Sequence, residues 1–260
     1  MPDAAPPPPE LDHDAIALFF DVDGTLVEIE REPGAVRVPG HLRGILSDLQ
    51  RSTGGALALV SGRTLAQLDR LFAPLRLSAA GLHGLERRNL NSEVVRARPD
   101  PVVLDAARAQ LAEFAERHPG VLLEDKGLTL ALHYRNAPEH EAAATATAEA
   151  AVAASRGALV LLRGKMVLEL KPPGWDKGQA IAAFLREAPF AGRQPVFAGD
   201  DVTDEAGFEI VNRQGGVTIR IGADAAPTHA RYRHPDVSAM QQWLQGLLAS
   251  PAARPWNKNR

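Results

Sequence analysis

The chain has 260 residues, 45% of them hydrophobic and 23% charged, with a formal net charge of −3. That is the balance of a globular protein with a sizeable core, and it offers nucleic acid or an anionic membrane surface no overall attraction. With no cysteine, disulfides, thiolate metal sites and a cysteine nucleophile are excluded.

The first residues carry a run of prolines, Pro6 to Pro9, which continues neither a helix nor a sheet ladder. Residues 1–13 are therefore expected to be a disordered or extended arm, and 251–260 a polar tail. Neither resembles a signal peptide, and no apolar stretch is long enough to span a membrane, so a cytoplasmic protein is expected.

Ala15 to Phe20 is a short apolar run ending at Asp21-Val22-Asp23-Gly24, the pattern of a buried parallel strand opening into a loop. Leu42, Ile45, Leu46 and Leu49 recur at helical spacing. Ala56 to Val60 is a second apolar run, followed by Ser61-Gly62-Arg63 and a helix bearing Leu65, Leu68, Leu71 and Phe72. Pro101 to Arg117 reads as a helix. Val121 to Leu123 and Leu128 to Arg135 read as strands, the second alternating Leu128, Leu130, Leu132 and Tyr134 with Thr129, Ala131, His133 and Arg135, as an antiparallel strand with one open face does. An alanine-rich helix, Pro138 to Ser155, precedes strands at Ala158 to Leu162 and Met166 to Leu170. Ile181, Phe184 and Leu185 mark a further helix. Pro195 to Ala198 is a buried strand stopped by Gly199-Asp200-Asp201, Gly216 to Ile221 is another, and Val237, Met240, Leu244, Leu247 and Leu248 mark a closing helix.

Strands alternating with helices predict a parallel sheet covered on both faces, spanning 14–97 and 172–250. It is interrupted at 98–171 by a β-rich insert. Ligands of such sheets bind beyond the carboxyl ends of the strands, and the polar clusters stand there. Asp21 and Asp23, two apart at a strand end, suit a pair around one reacting atom, one as nucleophile and the other as proton donor and base. A bare Asp-x-Asp reads first as a turn with a helix cap; the Gly-Thr-Leu after it and the buried strand before it favour catalysis. Ser61, Gly62 and Arg63 at a helix start form either a phosphate cradle or a simple cap. Asp200, Asp201 and Asp204 offer the hard oxygens that magnesium takes, or form a solvated turn. Lys177, just before a helix, is surface decoration unless the carboxylates converge on it. Two carboxylates about 4 Å apart repel by roughly 4 kcal/mol at an effective dielectric near 20, so Asp21, Asp23 and Asp200 at one edge need a divalent cation and a lysine to remain ionised.

Asp21-Val22-Asp23-Gly-Thr, Ser61, Lys177 and Gly199-Asp200-Asp201 resemble, in order, the four motifs of haloacid dehalogenase superfamily phosphatases. The resemblance implies a Rossmann-like α/β core with an inserted α/β cap, a phosphoaspartyl intermediate on Asp21, and acid/base work by Asp23. It also implies magnesium held by Asp21, the Asp23 carbonyl and Asp200, with Asp204 as a ligand or a supporting group. Glu124-Asp-Lys126, His133-Tyr134-Arg135, Glu169-Leu-Lys171-Pro and Gly174-Trp-Asp-Lys177-Gly are similar to the trehalose-6-phosphate phosphatase family, as is Ala80-Gly-Leu-His83-Gly-Leu-Glu86. From this follow a sugar phosphate as substrate and Glu124, Lys126 and Glu169 on the sugar hydroxyls, where carboxylate acceptors and an ammonium donor suit a polyol. A monomer is expected separately, although no residue pattern fixes the oligomeric state. His133, Arg63, His83 and Arg135 are further candidates. The residues alone leave other readings: Glu124 and Lys126 as solvated charge beside a turn, Glu169 facing solvent, and His133 as a partly buried strand residue. Sucrose 6-phosphate and mannosyl-phosphoglycerate phosphatases share every core motif, and an inactive sugar-phosphate-binding relative normally lacks Asp21, Asp23 or Lys177, all present here.

Overall fold

The computed structural model describes residues 8–9, 11–12, 15–30, 33–223 and 227–249. It divides into two compact units, Met1–Val95 with Asp176–Arg260, and Arg96–Trp175. Most of the expected N-terminal arm and all of the expected tail lie outside the described residues. Leu11 departs from the reading as an arm, because it is buried in the core of the first unit.

The first unit is built on β1 (Ile16–Phe20), α1 (Gly40–Ser52), β2 (Leu57–Val60), α2 (Leu65–Phe72), β3 (Ser78–Gly81), β4 (Glu86–Arg88) and β5 (Val94–Arg96). The second contributes α3 (Pro101–Arg117), β6 (Leu122–Asp125), β7 (Leu130–His133), α4 (Glu141–Ala154), β8 (Val160–Gly164) and β9 (Val167–Lys171). The chain then returns with α5 (Lys177–Phe184), β10 (Gln194–Gly199), α6 (Glu205–Arg213), β11 (Val217–Ile221), β12 (Tyr232–His234) and α7 (Val237–Ala249).

The core sheet has the order β12-β11-β10-β1-β2-β3-β4-β5, parallel from β12 through β3 and antiparallel at β4. The unbroken apolar sequence of β1 follows from its central place. Ile16, Leu18 and Phe20 point into a cluster shared with Leu42 and Leu46 of α1, Leu65 of α2 and Leu244 of α7. Ala17 and Phe19 point into the opposite cluster with Ile181 and Phe184 of α5 and Phe208 of α6. Phe19 lies 5.4 Å from Phe190 and 6.0 Å from Phe184, centroid to centroid; each such fully buried ring contributes about 1.5–3 kcal/mol. Successive strands lead from β1 to β2 and β3 in one direction, and from β10 to β11 and β12 in the other. The order thus reverses between β1 and β10, and open α/β sheets bind their ligands beyond the strand ends at such a reversal.

The second unit is a sheet of order β6-β7-β9-β8, antiparallel throughout. Leu130, Leu132, Leu168 and Leu170 join residues of α3 and α4 in one apolar cluster. Of its strands, β7 is shorter than the alternation predicts, while β8 and β9 lie one or two residues further along the chain than expected. Lys126 N donates to the Thr129 carbonyl, so the turn reaches Leu130 before the ladder begins. Met166 takes a left-handed φ of 61° in the β8–β9 turn, which defers the strand to Val167. Pro138–His140 forms a 3-10 turn ahead of α4 instead of its first turn.

Candidate active site

Asp21 follows β1 and donates its backbone N–H to the Ala198 carbonyl of β10 at 3.0 Å, which locks the two strand ends together. The next residues close a tight loop in which the Val22 carbonyl accepts from Leu26 N and Val27 N, and Gly24 N donates to Val27 O at 2.7 Å. Gly24 has a φ of +81°, and a Cβ there would lie 2.3 Å from Oδ2 of Asp200. Only glycine therefore allows this loop to close over the Asp200 carboxylate.

Asp200 follows β10, and Asp204 sits in the 3-10 turn after it, wholly buried. Asp204 Oδ2 accepts the backbone N–H groups of Asp200 and Asp201 at 3.0 and 2.9 Å, and its Oδ1 accepts from Lys177 Nζ at 2.7 Å. Gly199 makes that fold-back possible, because a Cβ there would lie 2.3 Å from Asp204 Cγ. Lys177 opens α5, whose N-terminus is capped by Asp176, and its ammonium spans Asp204 and Asp21, the latter at 2.8 Å.

One oxygen from each of Asp21, Asp200 and Asp204 lies within 4.8 Å of the others. At that spacing each pair repels by at least about 3.5 kcal/mol at an effective dielectric near 20. Burial raises the Asp21 carboxyl well above its ordinary range; Lys177 opposes the shift, and Asp204 and Asp200 reinforce it. Burial alone would make Lys177 give up its proton more readily, but the carboxylates of Asp204 and Asp21 more than offset it and the group stays an ammonium. One ammonium leaves the cluster short of positive charge. Its hard oxygens and the space kept by Gly24 fit a divalent metal.

Asp23 does not join this cluster. Both its carboxylate oxygens accept from Arg63, Nε to Oδ2 at 2.7 Å and Nη2 to Oδ1 at 2.6 Å. Ser61 and Gly62 stand at the end of β2, next to β1, and Ser61 Oγ accepts from Arg63 N at 3.2 Å. Thr64 and Gln67 form a reciprocal capping box on α2.

In the second unit the register Glu124↔Ala131↔Glu169 places both glutamates on one face, with His133 two residues along. Lys126 Nζ lies 3.2 Å from Glu169 Oε2 and 3.9 Å from Glu124 Oε2, and His133 Nε2 pairs with Glu124 Oε2 at 2.9 Å. Glu169 is buried, so its side of the strand is not open solvent. Arg135 is drawn away from this group, donating to the Lys165 carbonyl.

Sequence reasoning missed the turn after β3. Leu82 and His83 both adopt left-handed backbone, φ 50° and 55°, at about 1–3 kcal/mol each. Leu82 N donates to Arg63 O and His83 N to Ser61 O, both at 2.9 Å. The buried His83 ring occupies the space in front of Gly62, where a Cβ would lie 2.7 Å from Nε2. The readable traces were Gly62 and Gly84; nothing in a Leu-His pair announces positive φ.

The trehalose-phosphatase family model matches residues 19–238. The chain belongs to the trehalose-phosphatase family. Among members of the trehalose-phosphatase family, it is 45% identical over 235 residues to the trehalose-6-phosphate phosphatase of Escherichia coli K12, covering 90% of this chain and 87% of that one. Its fold is that of the Candida albicans trehalose-6-phosphate phosphatase C-terminal domain, at a TM-score of 0.81, 21% identity and coverage of 93% and 98%. The fold also matches BT1666 from Bacteroides thetaiotaomicron, a haloalkanoate-superfamily phosphatase, at a TM-score of 0.61, 15% identity and coverage of 90% and 96%. Membership of that family makes the chain a phosphatase, and its fold is the α/β fold of these solved structures. Among the described residues no helix is long and apolar enough to cross a membrane.

Proposed function

We propose that this chain hydrolyses trehalose 6-phosphate to trehalose and inorganic phosphate through a phosphoaspartyl intermediate on Asp21, with magnesium as its resident cation. The observation that carries the reading is the Lys177 ammonium held between Asp21 and Asp204 at 2.8 and 2.7 Å, at the reversal of the strand order. Magnesium, when bound, supplies the positive charge that lets a carboxylate and a phosphate dianion approach each other. The Asp21 and Asp200 carboxylates and the Asp23 carbonyl would hold the cation. Asp204, both of whose oxygens accept from N–H donors, is assigned to orienting Asp200 and Lys177.

Asp21 attacks phosphorus while the leaving sugar oxygen takes a proton from Asp23. Water then attacks the acyl phosphate, Asp23 accepts its proton, and the phosphorus–oxygen bond to Asp21 breaks. Ser61 and the Gly62 and Arg63 amides receive the phosphate oxygens, and Lys177 keeps the Asp21 oxygen oriented. Glu124, Lys126, Glu169 and His133 bind the sugar hydroxyls.

Phosphate release over a panel of sugar phosphates tests the substrate, with trehalose 6-phosphate expected to exceed sucrose 6-phosphate in kcat/KM. Chelation should abolish turnover and magnesium restore it. Asp21→Asn should fold and be inactive, and beryllofluoride should bind the wild type alone. Turnover in metal-free buffer, or an active Asp21→Asn variant, would refute the mechanism.

A further inference from the structure

We propose that Arg63 is a positioning residue for Asp23, a guanidinium clamp that sets the direction in which that carboxyl serves the leaving group. The inference rests on the reading above that Asp23 handles the leaving-group proton. Its basis is geometric. Among the described residues, both hydrogen bonds to the Asp23 carboxylate come from Arg63, one from Nε and one from Nη2, at 2.7 and 2.6 Å. The planar fork of a guanidinium fixes both the distance and the plane of a carboxylate, which an ammonium does not. The Asp23 side chain is 31% exposed and the Arg63 side chain 12%, so Arg63 is the more buried partner and Asp23 the more exposed.

Both ends of the clamp stand on constrained backbone. Arg63 N donates to Ser61 Oγ at 3.2 Å, and Arg63 O accepts from Leu82 N at 2.9 Å. Gly81 makes room for that carbonyl, since a Cβ there would lie 2.7 Å from it. The two left-handed residues, Leu82 and His83, are what bring the turn after β3 onto this loop. A strained turn retained against the backbone of Ser61 and Arg63 has a purpose if the direction of the Arg63 side chain matters. At the other end, Asp23 belongs to the loop pinned by Gly24 N to Val27 O.

The step that depends on the clamp is the first. The bond from Asp21 oxygen to phosphorus forms, the bond from phosphorus to the leaving oxygen breaks, and the electron pair moves to that oxygen, which receives the Asp23 proton. A nitrophenolate departs without a proton, whereas a sugar alkoxide does not. Arg63 as a mere phosphate binder would affect both substrates equally; Arg63 as the guide of Asp23 affects the sugar selectively.

The test is kcat/KM, which reports events up to departure of the leaving group, measured with magnesium for trehalose 6-phosphate and a series of aryl phosphates. The proteins are wild type, Arg63→Lys, Asp23→Asn and the double variant, each checked for folding by circular dichroism. Arg63→Lys should lose roughly tenfold to a hundredfold on trehalose 6-phosphate and about threefold or less on p-nitrophenyl phosphate. Its dependence on leaving-group pKa should steepen toward that of Asp23→Asn, and adding Arg63→Lys to Asp23→Asn should not steepen it further. Should Arg63→Lys fail to fold, Arg63→Gln is judged by the same slopes. Parallel losses on every ester, or steepening that persists without the Asp23 carboxyl, would overturn the proposal. A wild-type slope in Asp23→Asn would instead overturn the role given to Asp23 itself, and a wild type inert on every ester would overturn the phosphatase mechanism.

Discussion

Replacing Lys177 by methionine keeps most of the length of the side chain and removes the ammonium that Asp21 and Asp204 share. The ammonium lies 2.8 Å from Asp21 and 2.7 Å from Asp204, so each attraction is roughly 6 kcal/mol at an effective dielectric near 20. Several kcal/mol return because an ammonium no longer has to be stripped of water, and breaking a buried pair from one side costs about 3–5 kcal/mol net. For a chain of this size that is a fall in Tm of roughly 6–20 °C. The loss should depend on pH. Burial already raises the folded Asp21 carboxyl above its unfolded value of 3.8, so its contribution is present below 3.8 and is lost as pH rises through the folded value. Without Lys177, which opposes that shift, the window widens upward. Lys177→Met should therefore gain stability relative to wild type as pH falls from 8 to 5, and magnesium should raise its Tm more than it raises that of the wild type. Thermal and urea unfolding at both pH values, with magnesium and with chelator, reads all of this. A loss of about 1 kcal/mol or less, or a pH slope equal to the wild type's, would refute the charge accounting.

Gly24→Ala forces a side chain into a φ of +81° and onto the Asp200 carboxylate; we expect about 2–5 kcal/mol of destabilisation and weakened magnesium binding by calorimetry, and unchanged binding would show that the loop does not shape the site. Glu169→Gln should lower kcat/KM for trehalose 6-phosphate by roughly tenfold to a hundredfold while sparing p-nitrophenyl phosphate; equal losses would deny it a role in reading the sugar. His234, half-buried beside Trp243, is held below its ordinary range by burial, with Asp236 opposing. Its depressed value means that stability falls as pH drops from 6.5 through the folded value, so His234→Gln should flatten that part of the unfolding profile, and an unaltered profile would place the acid sensitivity elsewhere.

The core fold and the aspartates at its strand ends were legible because their signals are local. Ile16 to Phe20 and Pro195 to Ala198 are apolar without interruption, as strands covered on both faces must be, and an aspartate follows each within two residues. The helix-strand-strand-helix-strand-strand order of the insert was likewise written in its periodicity, to within a few residues at each end. β3, β4, β5 and β12 went unread, since strands of three or four residues carry little periodic signal, and α6 was passed over although Phe208 and Val211 recur there at helical spacing.

Only the tertiary structure decided which charges meet. Asp21 and Lys177 are far apart in sequence, and the sheet order that seats β10 against β1 is what brings α5 and the Asp200 loop to the same edge. Asp204 was legible as a ligand or a supporting group; its fold-back onto two backbone N–H groups, which the turn after β10 imposes, was not. Glu169 read equally well as solvated until the register set it on the face it shares with Glu124, against Lys126. Arg63 pairs with Asp23 from a loop held by the backbone N–H groups of Leu82 and His83, which adopt a backbone that their side chains disfavour. Local pattern reports what a residue prefers; pairing and strain are imposed by neighbours distant in the chain, and no window of sequence contains them.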